Sequence, residues 1–143
     1  MFFFGRHEHQ LDDKNRLRIP SKFRKDLLGD DEKPYYFFRG RDGCIGVMSS
    51  DTMEKTFFPM AEGYFGEMSN IKRAALSSIC AAEEDAQGRV VLPLSLRNIA
   101  GIKKDVVTIG VGNYIEIWAA ERLSDQLGLV DYDAEVGDLK GKR

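Results

Sequence analysis

Cysteine is nearly absent from this sequence of 143 residues: Cys44 and Cys80 are the only two, and they do not share CxxC spacing. That excludes a disulfide scaffold and a thiolate zinc site, and implies two reduced, incidental thiols. Histidine is as scarce, with His7 and His9 alone. His7-Glu8-His9 would put both rings on one strand face, but no third or fourth ligand follows at a plausible spacing, so no metal is expected. Nucleophilic catalysis lacks its parts too: there is no Gly-x-Ser-x-Gly elbow and no plausible Cys–His–Asn/Asp pattern. Gly110-Val111-Gly112-Asn113 has neither the third glycine nor the lysine of a phosphate loop. No uncharged apolar run reaches the ~18 residues of a membrane span. The start, Met1-Phe2-Phe3-Phe4-Gly5-Arg6-His7-Glu8, has no basic region leading into an apolar stretch, so no signal peptide is expected. An excess of one charge is missing as well: 21 Lys+Arg face 23 Asp+Glu, a formal net charge of -2, which excludes a uniformly basic nucleic-acid coat. The expectation is a non-enzyme of the cytoplasm, with no cofactor, no small-molecule substrate and no membrane partner.

What is present is a composition of 43% hydrophobic and 31% charged residues, which suits one globular domain with a real core. That domain contains an internal repeat. Asp12 to Leu28 reads DDKNRLRIPSKFRKDLL, and Asp85 to Gly101 reads DAQGRVVLPLSLRNIAG. At an offset of 73, Asp12, Arg16, Pro20 and Arg24 coincide with Asp85, Arg89, Pro93 and Arg97. At an offset of 70, the segments 36–40 and 43–48 match 106–110 and 113–118, so the first copy has a loop three residues longer. A series of matches in one order indicates duplication. The expected organisation is a first repeat over 5–50, a helical connector over 51–80, a second repeat over 81–124 and a flexible polar tail over 130–143.

Each copy reads as strand, four-residue turn, short strand, helix and hairpin. The turns are Asp12 to Asn15 and Asp85 to Gly88. Their last positions hold Asn and Gly, the residues that best tolerate a left-handed backbone. The Asp12 and Asp85 carboxylates are suited to accept from N–H groups of their own turns. Strands follow at 16–19 and 89–92, and Pro20 and Pro93 end them. Helices are predicted over Ser21 to Leu28 and Leu94 to Ala100, stopped by Gly29 and Gly101. Hairpin turns are predicted at Arg41-Asp42-Gly43 and Gly112-Asn113. In the connector, Ser50 or Asp51 is expected to cap a helix through about Phe58, which Pro59 interrupts. A second helix runs from Ser69 to Ile79 with Ile71, Ala75, Leu76 and Ile79 on one face, and a third from Ala120 to Leu129.

Charge is unevenly placed. Lys14 to Lys25 holds Lys14, Arg16, Arg18, Lys22, Arg24 and Lys25 and no acid, +6 over twelve residues, whereas its counterpart from Gln87 to Asn98 holds only Arg89 and Arg97. The segment 51–85 carries a net -4. Arg16 and Arg18 alternate on a strand and share a face, with Leu17 and Ile19 turned inward. Such a row suits phosphates, or base edges in the major groove.

The two motifs, Asp12-Asp13-Lys14-Asn15-Arg16 and Asp85-Ala86-Gln87-Gly88-Arg89, each followed by a short strand, a proline and a helix, resemble the MraZ family of AbrB-like bacterial DNA-binding proteins. The second motif fits the family's Asp-x-x-Gly-Arg pattern fully; the first has Asn15 for Gly, a mild departure. The N-terminal Met1-Phe2 with Gly5 and the strand Tyr114-Ile115-Glu116-Ile117-Trp118 add to the likeness, which covers roughly residues 1 to 129. The resemblance implies an α+β fold in which two swapped-hairpin units form a small β-barrel with flanking helices. It implies ring-shaped homo-oligomers associated with the nucleoid. The implied role is repression, including autoregulation, through repeated short promoter boxes on double-stranded DNA before the division and cell-wall gene cluster. By position it makes Arg16 the leading DNA contact and Arg89 its equivalent, with Asn15 beside them; charge adds Lys14, Arg18 and Lys22. Asp12, Pro20, Asp85, Gly88 and Pro93 are the expected structural residues of the motif. The competing expectation is an AbrB-like antitoxin or protein-interaction module, for which the 14 residues after Leu129 make a short arm.

Overall fold

The computed structural model describes residues 1–62 and 69–141; the middle of the expected connector, 63–68, and the end of the tail, 142–143, lie outside the described residues. The elements are β1 (Arg6–Gln10), β2 (Arg16–Arg18), α1 (Ser21–Leu28), β3 (Tyr35–Arg39), β4 (Ile45–Ser49), α2 (Ser50–Ala61), α3 (Ser69–Ser77), β5 (Cys80–Ala81), β6 (Arg89–Val91), α4 (Leu94–Ala100), β7 (Asp105–Gly110), β8 (Ile115–Ala119), α5 (Ala120–Gly128) and α6 (Tyr132–Gly141). It is an α+β fold.

Six strands form an antiparallel sheet in the order β1-β7-β8-β4-β3-β5, and β2 pairs with β6 in a separate two-stranded ribbon. β1, from the first half of the chain, lies against the β7–β8 hairpin of the second, and β5, from the second half, against the β3–β4 hairpin of the first. Among the described residues the sheet stays open, with β1 and β5 as its edges, so the closed barrel expected from the resemblance does not form. The reason is strand length. β5 has two residues, and β2 and β6 have three each. β2 and β6 stop short of Pro20 and Pro93, which have no N–H to extend a ladder, and they bond to each other instead of bridging the sheet's edges.

Ribbon and sheet share one core. Leu17, Ile19, Val90 and Leu92 from the ribbon region pack with Phe37, Ile45, Val47, Val106, Ile115 and Ile117 from the sheet and Phe23, Leu27 and Leu96 from α1 and α4. α1 and α4 occupy the predicted ranges. Gly29 and Gly101 stand just past their ends at φ 67 and 64, a conformation that glycine adopts without steric cost. The turn between β3 and β4 likewise holds Asp42 and Gly43 at positive φ.

Details of the connector depart from expectation. Ser49, one residue earlier than predicted, caps α2: its Oγ accepts from Thr52 N at 3.2 Å. Pro59 does not interrupt α2, which runs on to Ala61; it removes one donor near the helix end, and Glu62 N still donates to Phe58 O at 3.2 Å. α3 ends at Ser77 and buries no residue, and Ile71, expected on its packed face, is exposed. The expected flexible tail carries the helix α6. The Asp131 side chain accepts from Ala134 N at 3.2 Å, and Asp133 and Glu135 place negative charge in the first turn, where the helix dipole favours it.

Candidate nucleic-acid interface

The two Asp-containing turns close in the same way. Asp12 N donates to Arg16 O (2.9 Å) and Asn15 N to Asp12 O (3.0 Å); Asp85 N donates to Arg89 O (2.8 Å) and Gly88 N to Asp85 O (3.0 Å). Asn15 and Gly88 take φ of 60 and 77. Each carboxylate then ties its turn internally. Asp12 Oδ1 accepts from Lys14 N and Arg16 N, both at 2.9 Å, and Oδ2 from Arg16 Nε at 2.8 Å. Asp85 Oδ1 accepts from Gln87 N and Arg89 N, and Oδ2 from Arg89 Nε, all at 2.9 Å. These bonds, chiefly the one from the backbone N–H of Arg16 or Arg89, hold both carboxyls below the usual range.

Antiparallel pairing of β2 with β6 brings the motifs side by side, with Arg16 opposite Val91, Leu17 opposite Val90 and Arg18 opposite Arg89. Residues directly opposite share a face, as do i and i+2. Leu17 and Val90 are buried; Arg16, Arg18, Arg89 and Val91 therefore form the outer face. Arg16 Nη1 also lies 3.7 Å from Asp85 Oδ2, so Asp12, Arg16, Asp85 and Arg89 form a chain of alternating charge. A guanidinium held at Nε by its own carboxylate has little orientational freedom, while its η nitrogens remain donors for a ligand. Leu92 N donates to Asn15 O at 3.2 Å, fastening the second strand to the first turn.

The remaining sequence-predicted residues surround this face. Lys14 is exposed on the first turn, and Arg18 is exposed on β2. Lys22, exposed on the first turn of α1, holds its Nζ 4.9 Å from the centre of the Phe23 ring and close over Gly5, where a Cβ would stand only 2.7 Å away. Pro20 and Pro93 immediately precede α1 and α4. Among the described residues no carboxylate pairs with Lys14, Arg18, Lys22 or Lys25.

Arg24 is different. It donates to Glu84 through Nε (2.8 Å) and Nη2 (2.7 Å), and Tyr35 Oη donates to the same carboxylate at 2.8 Å. Arg24 above all keeps the Glu84 carboxyl low, and burial pushes the Tyr35 hydroxyl up. The linear +6 is therefore a smaller net surface charge, because Arg24 is paired with Glu84 and Arg16 with Asp12.

An open groove of about 890 Å³ runs beside the ribbon, lined by His7, His9, Arg18, Lys22, Arg24 and Gln87 among others. The sequence does not join these residues, because it does not reveal that β1 and the second turn flank the start of α1. The His9 ring shares a 2.8 Å hydrogen bond between Nε2 and Thr108 Oγ1, and its pKa is lowered to about 4, by burial first and then by His7. Among the described residues no group of three His, Cys, Asp or Glu could hold a metal. No described helix is long and apolar enough to cross a membrane.

The family model described as "MraZ protein, putative antitoxin-like" matches residues 2–58 and 80–129. A protein of Syntrophomonas wolfei subsp. wolfei named "Transcriptional regulator MraZ" is 36% identical over 127 residues, covering 86% of this chain and 85% of that protein. Proteins of the same name from Clostridium botulinum (strain Alaska E43 / Type E3) and Lactobacillus gasseri are 36% and 39% identical, over 92% and 86% of this chain and 92% and 85% of theirs. With both Asp-turn-Arg motifs inside the matched ranges, the chain belongs to the MraZ family.

Proposed function

We propose that this protein is a sequence-specific double-stranded-DNA-binding transcriptional regulator whose β2–β6 ribbon enters the major groove. The observation that carries the reading is the outer face of that ribbon. Arg18 lies directly across from Arg89, an arrangement of like charges that costs stability in isolation and is relieved by a polyanion. Arg16 and Arg89, held at Nε by their carboxylates, keep η nitrogens that can donate to guanine O6 and N7. Lys14, Arg18 and Lys22 contact phosphate, and Asn15 holds the left-handed turn that aims Arg16. The names of the relatives, transcriptional regulators, support the same reading.

The finer picture is of two duplicated swapped-hairpin units in one domain, an idea supported by the crossed pairing of β1 with β7 and β5 with β3. The protein assembles into a ring in the cytoplasm, on the nucleoid, and represses its own gene and the division and cell-wall cluster by covering repeated promoter boxes. Phe2 and Phe4, 70% and 69% exposed, leave apolar surface for self-association. The test is a gel-shift titration on DNA from immediately upstream of the coding sequence. A shift that weakens steeply with salt supports the proposal, since each neutralised phosphate contributes about -0.9 to the log–log slope. Salt-indifferent binding, or no binding together with capture of a stoichiometric protein partner, replaces it with the antitoxin-like reading that the family description carries.

A further inference from the structure

The ribbon's outer face is pseudo-symmetric in one pair of residues and not in the other. Exchanging the two motifs exchanges Arg16 with Arg89, but it exchanges Arg18 with Val91. Val91 is 55% exposed, on the ribbon face that also carries Arg16, Arg18 and Arg89, directly opposite Arg16. Its pairing register leaves it no route to the core, which Val90 occupies from the same strand. Val91 is thus an exposed apolar residue at the position where the first motif carries the cation Arg18.

In the major groove, thymine is the base that presents an apolar group, its C5-methyl, and a branched aliphatic side chain beside a guanine-reading arginine fits it. We propose that Val91 is a base-reading residue that packs on the C5-methyl of a thymine next to the base pair read by Arg16. It thereby sets, together with its counterpart Arg18, the direction in which the ribbon lies on DNA. The proposal rests on the DNA-binding reading above and adds to it a specific base and an orientation.

The experiment uses the full chain and a library of randomised 30-base-pair duplexes. Sequences enriched by the wild-type protein are remade with each thymine in turn replaced by deoxyuridine, which lacks only the methyl group. One replacement should weaken wild-type binding about fourfold, the loss expected for one buried methyl-sized group. Val91→Ala should bind the parent duplex about fourfold more weakly and be indifferent to that replacement, whereas Val91→Thr, which keeps a methyl, should retain part of the sensitivity. A wild type indifferent to every replacement, an enriched sequence without a required thymine, or a Val91→Ala variant as sensitive as wild type overturns the proposal while leaving DNA binding intact. No enrichment at all takes the DNA-binding reading down with it. A Val91→Ala variant that reads DNA like wild type but assembles differently in sedimentation shows instead that this face meets a second copy of the chain.

Discussion

At the scale of single residues, the two motifs join the proposed recognition arginine to local structure through one carboxylate each. Asp12 binds the turn backbone through Oδ1 and the Arg16 guanidinium through Oδ2, so its two oxygens do different work. Arg16→Ala should lower DNA affinity roughly tenfold to a hundredfold, the range for one base-reading arginine, with the far-ultraviolet circular dichroism unchanged; unaltered affinity in a gel shift would sink the assignment. Asp12→Asn keeps an acceptor for the turn but not the charge that steers Arg16, so it should weaken binding less than Arg16→Ala does. His9 gives a prediction of another kind. Its pKa falls from an ordinary 6.5 to about 4 in the folded chain, so the unfolded chain binds the proton more tightly. Stability is therefore full above pH 6.5 and declines as pH falls towards 4. The carboxyls of Asp12, Glu84 and Asp85 are shifted downward, so their contributions fade only at lower pH. Thermal melts between pH 7 and 4.5 should show the decline in the wild type and a flatter profile in His9→Gln. None of these bonds can be read as distances from a sequence, yet the recurrence of Asp, Asn or Gly, and Arg at fixed spacing was enough to mark the turn and its left-handed corner.

At the scale of elements, legibility followed how local the cause was. α1 and α4 are bounded by proline before and glycine after, both local signals, and they lie where the sequence puts them. The cap of α2 and the persistence of that helix past Pro59 depended on a serine at the end of β4 and on a single missing donor, and neither is distinguished by residue type alone. The partner of each strand was less legible still. The pairing of β2 with β6 brings together residues 71 to 75 apart in sequence, and it alone reveals Val91 and the like-charged pair of Arg18 and Arg89. The flanking groove was hidden for the same reason. One packing feature at this scale is testable. Gly46 on β4 sits under the Phe38 ring, whose atoms a Cβ there would strike, and that ring packs on Phe57 of α2 (centroids 5.4 Å apart) and on Tyr114 (5.8 Å). Gly46→Ala should therefore push Phe38 off α2 and cost about 1–3 kcal/mol, read as a lower denaturation midpoint; an unchanged midpoint would mean that the ring has room to move.

At the scale of the whole molecule, a net charge of -2 and a DNA-binding role are compatible because the charge is segregated in space and partly consumed within the fold. Arg24 is absorbed by Glu84, and Arg16 and Arg89 are half-neutralised by their own aspartates, which leaves Lys14, Arg18, Lys22 and Lys25 of that segment without a carboxylate partner among the described residues. A single chain with so few should bind DNA weakly and with a shallow salt slope, and Lys22→Ala should reduce that slope by about 1 while lowering affinity evenly across sequences. Few charges per chain make assembly decisive for affinity. If several ribbons stand on one ring, the second box is engaged at a high effective concentration, and affinity multiplies instead of adding. The directional ribbon adds a geometric condition: copies related by rotation around a ring present the same polarity along DNA, so boxes should work as direct repeats and fail when one is inverted. Duplexes carrying one box, two direct boxes, two inverted boxes, or two direct boxes with about five base pairs inserted between them separate these terms, because half a helical turn puts the second box on the far side of the duplex. The direct pair should bind at least tenfold more tightly than the single box, with the inverted and shifted pairs close to the single one. Equal affinity for all three pairs would mean that each chain binds alone and that the ring contributes nothing to recognition.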